Sequence, residues 1–222
     1  MTGRTALITG AARGIGYAIA ELFRTRGVNV LTPTRQEMDL MKNDAIDCYC
    51  AGIHGPIDIL VNNAGINPLA TACEFTDADL AATLQINLAA PMRLIRALSP
   101  GMAQRGYGRI VNISSIWSEV AKPRRFVYTT TKSGINGMTR ALAVEMAGTG
   151  VLVNAVAPGF VNTDLTRQNN SAEELRRIAD SIPAGRLANP SEIAELVAFL
   201  CSGKNSYVTG QTIFADGGFT CQ

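Results

Sequence analysis

Short apolar runs rich in β-branched residues alternate with longer amphipathic stretches along most of this chain. Five runs have the pattern of strands: residues 5–9, 28–32, 58–62, 109–113 and 151–155. Helical periodicity fills the intervals at residues 15–26, 77–104 and 128–147 and returns at 191–201. This alternation favours a parallel sheet covered by helices on both faces. We therefore predict an α/β fold, one doubly wound domain over residues 1–222.

One interval is too short for that pattern. Only four residues separate Thr34 from Asp39, whereas a crossover between parallel strands needs a dozen or more. The helix after the second strand is therefore predicted to be absent. Residues 38–40 would form a stub of edge strand or a loop, and residues 43–54 the next helix. We expect about six strands, a thin open sheet edge, and helix N-caps at Thr76 and Ser191.

Composition excludes several classes of partner and site. The net charge of +2 gives no reason to expect a nucleic acid or an anionic membrane as partner. No secretory signal pattern precedes the first strand, so a cytoplasmic location is expected. The five cysteines form no CxxC pair and there is one histidine. We therefore predict no metal site and buried, inert thiols.

A glycine-rich segment joins the first strand to the first helix. Residues 9–16 read Thr-Gly-Ala-Ala-Arg-Gly-Ile-Gly. Glycine allows a tight turn and a close approach of backbone amides, and a helix N-terminus attracts a pyrophosphate. An ordinary turn is the alternative, but the position between strand and helix favours a dinucleotide. The predicted contacts are Gly10, Arg13, Gly14, Ile15 and Gly16.

The charge of the residues at the end of the second strand indicates which dinucleotide binds. Folds that prefer NAD usually place a carboxylate here, which would repel the 2′-phosphate of NADP. This chain has Thr34 followed by Arg35, and Arg35 and Arg13 can both pair with a phosphate. We predict NADP(H), with NAD possible as the alternative. Asp39 is a candidate to accept from the adenine amino group.

A tyrosine and a lysine lie one helical turn apart. Tyr128 and Lys132 share a helix face, and a nearby ammonium favours the phenolate of a tyrosine. Such a tyrosine can exchange a proton with a carbonyl oxygen while hydride moves at carbon. Ser115 ends a strand, where its hydroxyl can hydrogen-bond a substrate carbonyl. Asn87 lies inside a long helix, either bonded to a backbone carbonyl or serving the site.

With these motifs together, the chain resembles the short-chain dehydrogenases/reductases over nearly its whole length. Ser115 precedes Tyr128 by the thirteen positions common in that family. The other matching elements are residues 9–16, Asn62-Asn63-Ala64-Gly65, Asn87, Lys132 and Pro158-Gly159. The fold that this resemblance implies is Rossmann-like. Segments 161–166, 183–187 and 209–211 are similar to 3-oxoacyl-acyl-carrier-protein reductases.

The resemblance also implies roles for individual residues. Ser115 would orient the carbonyl, Tyr128 would be the acid–base, and Lys132 would bind the nicotinamide ribose and lower the tyrosine pKa. Asn87 would hold a water that links Lys132 to solvent. The remaining cofactor contacts would be Asn63, Ala64, Gly65, Pro158, Gly159, Val161 and Thr163. Relatives commonly form dimers or tetramers, so a homo-oligomer is expected.

Substrate identity is less constrained. Carrier-dependent reductases often have an arginine where this chain has Thr149, which leaves carrier docking open. Arg125, three residues before Tyr128, can hold a substrate carboxylate or phosphate, or it is an exposed surface arginine. We predict NADPH-dependent reduction of a ketone or 3-oxoacyl group to the alcohol. The alternatives are a dehydrogenase of a small hydroxy acid or sugar-derived acid and a non-catalytic dinucleotide sensor. Polar residues 162–188 are predicted to form a mobile lid.

Overall fold

Six parallel strands form one sheet in the computed structural model, which describes residues 1–168 and 170–222 except the side chain of Leu165. The predicted α/β fold with six strands is confirmed. The strand order is β2-β1-β3-β4-β5-β6. The strands are β1 (Thr5–Ile8), β2 (Asn29–Leu31), β3 (Ile59–Asn62), β4 (Gly108–Ile113), β5 (Val151–Pro158) and β6 (Thr212–Ala215). Sequence periodicity did not locate β6.

Helices cover both faces of the sheet. They are α1 (Gly14–Thr25), α2 (Asn43–Ala51), α3 (Asp77–Leu84), α4 (Ala90–Gln104), α5 (Phe126–Glu145), α6 (Asp164–Gln168), α7 (Ala172–Asp180) and α8 (Pro190–Cys201). A π-helical turn, Gln85–Ala89, joins α3 to α4. The predicted helix over residues 77–104 is therefore interrupted. The predicted lid, residues 162–188, includes residue 169, which lies outside the described residues. Most of the other lid residues belong to the helices α6 and α7.

Alternation along β1 separates two hydrophobic cores. Ala6 and Ile8 face a cluster with Phe23 of α1 and Val197 of α8. Leu7 faces the opposite cluster, which α2, α4 and α5 cover. Successive strand side chains point to opposite faces, so a strand buried on both sides is apolar throughout. This packing fixes the strand ends from which the site is built.

The segment between β2 and β3 carries the predicted deletion. Residues 32–42 run from β2 to α2 without helix or strand, so residues 38–40 are a loop and not an edge strand. The loop is anchored by the buried side chain of Met38, which packs in the second core. The chain therefore crosses from β2 to β3 through α2 alone, and β2 is an edge of the sheet.

Of the two predicted helix caps, one is confirmed and one needs correction. Thr76 caps α3 by accepting a hydrogen bond from the Asp79 amide at 3.1 Å. Ser191 is not the cap of α8, because the helix begins at Pro190 and Asn189 is its N-cap residue, with the Asn189 amide donating to Glu192 at 2.7 Å. The cap lies before the proline because proline suits the first helical position.

The thiols also differ from the prediction. Cys48, Cys73 and Cys221 are exposed, and only Cys201 is buried. Within residues 1–168 and 170–222, no group of three His, Cys, Asp or Glu side chains is placed to hold a metal ion. No helix among the same residues is long and apolar enough to cross a membrane.

Candidate active site

The predicted site residues meet at the carboxyl edge of the sheet. Parallel strands all end at this edge, so loops distant in sequence come together there. A cavity of about 540 Å³ lies over it. Twelve of the predicted cofactor residues line this cavity: Gly10, Arg13, Gly14, Ile15, Gly16, Thr34, Arg35, Asp39, Asn63, Ala64, Gly65 and Thr163.

The glycine-rich turn requires glycine for two different reasons. Gly10 and Gly14 have φ of 66° and 59°, a region that side chains disfavour. Gly16 has no such φ, but a Cβ there would lie 2.4 Å from Asn63 Nδ2 and 2.5 Å from the Gly10 oxygen. Close packing of the turn, α1 and the β3 loop therefore leaves the helix N-terminus facing the cavity.

Thr9 and Asn63 hold the floor of the cavity together. Asn63 Nδ2 donates to the carbonyl oxygens of Thr9 and Gly10 at 2.9 and 3.0 Å. The Thr9 hydroxyl accepts from the amides of Asn63 and Ala64, both at 3.0 Å. Sequence reasoning did not assign Thr9 this role. Its position directly before the glycine turn is the signal that could have indicated it.

The far end of the cavity is formed by the loop after β2. Arg35 is 82% exposed, and its Nε lies 3.7 Å from Asp39 Oδ1. Asp39 also accepts from the Met41 amide at 3.1 Å, so its carboxylate has two partners within the loop. The Thr34 amide donates to Glu37 at 2.7 Å, which keeps a carboxylate close to the end of β2. Met38 and Leu40, which the sequence did not assign to the site, provide apolar walls.

The residues after β5 take different positions. Pro158 ends the strand, and a Cβ at Gly159 would lie 2.8 Å from the Asp216 Cα. Val161 is 5% exposed and packs in the first core, so its side chain faces away from the cavity. Thr163 lines the cavity, and its Cγ2 would lie 3.3 Å from a Cβ at Gly14.

Lys132 lies behind the cavity wall. It is 3% exposed, and its Nζ donates to the Ile113 carbonyl oxygen at 2.7 Å. Burial lowers the pKa of Lys132 to about 8. The ammonium lies 5.5 Å from the centre of the Tyr128 ring and 3.6 Å from the point that a Cβ at Gly65 would occupy. Lys132 thus lies between the tyrosine and the wall of the cavity at Gly65.

Tyr128 has competing influences on its ionisation. Burial raises the pKa of its phenol, while the Ser115 hydroxyl and the positive charge of Arg125 act to lower it. Ser115 itself caps a short 3-10 turn, Ile116–Ser118, by accepting from the Trp117 amide at 3.3 Å. This turn presents the serine hydroxyl to the phenol, which brings the predicted pair together.

Asn87 lies in the π-helical turn and is 1% exposed. Its Oδ1 accepts from the Ile66 amide at 2.9 Å, and its Nδ2 donates to the Ile66 carbonyl at 2.9 Å and to Thr131 Oγ1 at 3.2 Å. π-helical turns are rare and frequently occur at functional sites. The side chain therefore ties the loop after β3 to α5, beside Gly65 and Lys132.

Arg125 precedes α5 and stacks on an aromatic ring. Its guanidinium carbon lies 5.0 Å from the centre of the Trp117 ring. Trp117 packs edge-on against Phe160 and Phe219, with ring centres 5.9 and 6.4 Å away. The sequence predicted the substrate candidate Arg125 but not this aromatic support, because the three rings come from distant parts of the chain.

The fold and the placement of these groups define a dinucleotide-linked oxidoreductase of the short-chain type, and similarity to known proteins shows the family. A family model described as enoyl-(acyl carrier protein) reductase matches residues 37–220. The chain belongs to the short-chain dehydrogenase/reductase family and is one of its oxidoreductases.

Individual relatives match along the full length. The chain is 40% identical to a 3-oxoacyl-acyl-carrier-protein reductase of Rickettsia typhi, over 98% of this chain and 97% of the relative. It is 38% identical to an uncharacterised oxidoreductase of Bacillus subtilis, over 98% and 99%. A solved structure described as a candidate NAD(P)-dependent gluconate 5-dehydrogenase from Beutenbergia cavernae, with NADP bound at low occupancy, is 35% identical. It superimposes with a TM-score of 0.91 over 100% of this chain and 98% of that one.

Proposed function

We propose that this protein interconverts a carbonyl and a secondary alcohol with NADP(H), and that reduction of a ketone or 3-oxoacyl group is its main direction. The observation that carries the proposal is the position of Lys132. Its ammonium lies beside both the Tyr128 ring and the cavity wall at Gly65. This arrangement supports a proton-exchanging role for Tyr128 at the boundary of the cavity.

The residues of the cavity fit a dinucleotide. The first residues of α1, whose amides have no partner within a helix, line it, and the absence of a side chain at Gly16 lets that helix approach the β3 loop. Gly10, Gly14 and Gly16 would hold the pyrophosphate, and Asn63, Ala64 and Gly65 would line the path toward Lys132. Pro158, Gly159, Val161 and Thr163 would flank the nicotinamide end, Val161 through its backbone. When bound, the reduced cofactor supplies the hydride.

The chain's own residues would manage the proton. Ser115 would donate a hydrogen bond to the substrate carbonyl, and Tyr128 would transfer its phenolic proton to the same oxygen. The ammonium of Lys132 would stabilise the resulting phenolate and bind the ribose hydroxyls. Asn87 would hold the loop after β3 beside Lys132 through its three hydrogen bonds to Ile66 and Thr131. A relay water would bind next to the same Asn87 side chain.

Preference for NADP(H) is supported by the charge around the far end of the cavity. Arg13 and Arg35 line it, and Arg35 is largely exposed. A 2′-phosphate would compete with Asp39 for Arg35, and it would displace the Glu37 carboxylate from the Thr34 amide. Asp39 is then free to accept from the adenine amino group, as proposed from the sequence. The NADP-bound relative from Beutenbergia cavernae supports the same cofactor.

A second candidate is a dehydrogenase of a small hydroxy acid or sugar-derived acid. The half-buried guanidinium of Arg125 beside Tyr128 favours an acidic substrate. The gluconate 5-dehydrogenase relative agrees with this direction. Both candidates use the same Ser115, Tyr128 and Lys132 chemistry and differ in what Arg125 contacts.

Replacement of the phenol tests the proposal. General acid–base groups contribute about 10²- to 10⁴-fold to rate, so Tyr128→Phe should lower kcat by at least that lower factor. The Kd for NADPH should change little, because the aromatic ring remains and only the hydroxyl is lost. Tyr207→Phe is the matched control, since Tyr207 is 94% exposed. Tyr128→Phe turnover within tenfold of wild type would refute the proposed role, and no turnover by wild type across a broad carbonyl panel would favour a non-catalytic dinucleotide sensor.

We also propose that the chain forms a homo-oligomer, a dimer or tetramer, and acts on small molecules. Support comes from exposed apolar side chains on two helices: Met92 on α4, and Phe126 and Val144 on α5, the last 78% exposed. Such side chains favour burial against another copy. Light scattering of the purified protein measures the mass, and a monomeric mass would refute this.

A further inference from the structure

Arg125 carries a half-buried positive charge, and no residue in the described part of the chain pairs with it. Its Nε is buried and has no hydrogen-bond acceptor among residues 1–168 and 170–222. The described residues also place no carboxylate within ion-pair distance of its guanidinium. Removing a charged group from water costs several kcal/mol unless another charge or hydrogen bonds compensate. Arginine cannot relieve this by losing its proton, even though burial lowers the Arg125 pKa.

The backbone that carries the arginine is also held in place. The Arg125 carbonyl accepts from the Thr129 amide at 2.8 Å, at the start of α5. Arg124 is fixed beside it, because its own carbonyl accepts from the Ala70 amide at 3.2 Å. The guanidinium stacks on Trp117, and Phe160 and Phe219 support that ring. A charged group fixed in one orientation is suited to bind a ligand at low entropic cost.

The aromatic support links the guanidinium to the turn that carries Ser115. Trp117 belongs to the same short turn as Ser115, whose hydroxyl accepts from the Trp117 amide. The Arg125 charge also acts on the Tyr128 phenol. A molecule whose carbonyl contacts Ser115 and Tyr128 would therefore bring its neighbouring atoms to Arg125.

The charge environment favours a carboxylate over a phosphate. Two basic neighbours have their own partners: Arg124 donates to the Leu69 carbonyl at 3.1 Å, and Lys132 donates to Ile113. Arg186 forms a two-fold pair with Glu192. A single available guanidinium matches a single negative charge, and its planar fork matches the two oxygens of a carboxylate.

We propose that the substrate carries a free carboxylate, which binds Arg125 above Trp117 while the carbonyl or alcohol carbon lies at Ser115 and Tyr128. This rests on the proposed carbonyl–alcohol reaction and narrows it to small oxo acids or hydroxy acids. A thioester on a carrier lacks that charge near its carbonyl. The substrate would therefore be a free small molecule.

Intrinsic fluorescence can test the binding step without catalysis, because Trp117 is the only tryptophan in the chain. Without dinucleotide, the protein is titrated with acetoacetate and with D-gluconate. The neutral counterparts are methyl acetoacetate and D-glucitol. We expect saturable changes in emission with at least one acid and at least tenfold weaker response to its neutral counterpart, since a hydrogen bond to a charged group is worth about that factor.

The variant Arg125→Met should weaken acid binding at least tenfold. The matched control Arg124→Met removes the same charge one residue away and should leave acid binding within about twofold of wild type. Equal response to acids and neutral counterparts, no response to either acid, or equal loss in both variants would overturn the proposal. Thermal unfolding of both variants verifies that they fold.

A kinetic arm separates this proposal from the proposed function. With NADPH, the ratio of kcat/KM for acetoacetate to that for methyl acetoacetate should exceed ten and should fall at least tenfold in Arg125→Met. Turnover with a ratio near one would overturn the carboxylate proposal and leave the reaction intact. Acid binding at Arg125 without any turnover would overturn the reaction and leave the carboxylate site intact.

Discussion

Replacing Gly16 with alanine tests how the cavity is built. Gly16 has an ordinary helical conformation, where alanine normally stabilises by about 0.5–1 kcal/mol. The new Cβ, however, would lie 2.4 Å from Asn63 Nδ2 and 2.5 Å from the Gly10 oxygen. The backbone oxygen cannot rotate away. The contact must therefore separate α1 from the turn and move the Asn63 amide.

The magnitude follows from the contacts that are lost. Overpacking costs about 1–3 kcal/mol, and losing the two hydrogen bonds of Asn63 costs about 0.5–1.5 kcal/mol each. After subtraction of the gain from alanine, the free energy of unfolding should fall by about 1–5.5 kcal/mol. NADPH binding should weaken in parallel, because the same turn lines the cavity.

Urea unfolding followed by circular dichroism measures the stability, and NADPH fluorescence measures the affinity. Gly52→Ala is the control, because Gly52 ends α2 at φ −82° and its Cβ would meet nothing closer than 3.5 Å. That variant should be as stable as wild type or up to about 1 kcal/mol more stable. If Gly16→Ala matched Gly52→Ala in both assays, the steric argument would be wrong.

Two further predictions concern charge. Burial lowers the pKa of Lys132 from 10.5 to about 8, so between these values the unfolded chain binds the proton that the folded chain has lost. Stability should therefore rise with pH across this window by up to about 3 kcal/mol relative to Lys132→Met, and parallel curves for the two proteins in urea unfolding would refute it. Arg35→Ala and Arg13→Ala should each raise the KM for NADPH about tenfold, with little change for NADH, since each removes a charged partner of the 2′-phosphate. Equal effects on both cofactors in steady-state rates would contradict the predicted specificity.

The layered fold could be predicted because local periodicity encodes it. Each strand or helix shows its buried face in its own sequence, and the alternation of the two fixes a parallel sheet. The missing helix after β2 was evident from interval length alone. The strand β6 was not located, since its four residues are all partly exposed and carry little periodic pattern. The misplaced cap of α8 depended on a single residue beside a proline, where boundaries are least certain.

The amino-acid sequence by itself determined the glycine turn, the spacing of Tyr128 and Lys132 and the separation of Ser115 from Tyr128. Each of these features lies within a short segment of the chain. Only the tertiary structure decided what those groups contact. It brought Lys132 to Ile113 and Gly65, bonded Asn87 to Ile66, and turned the side chain of Val161 into the core. It also stacked Arg125 on Trp117 and supported that ring with Phe160 and Phe219. These contacts join residues far apart in sequence, and the packing of loops at one sheet edge creates them, so no local pattern records them.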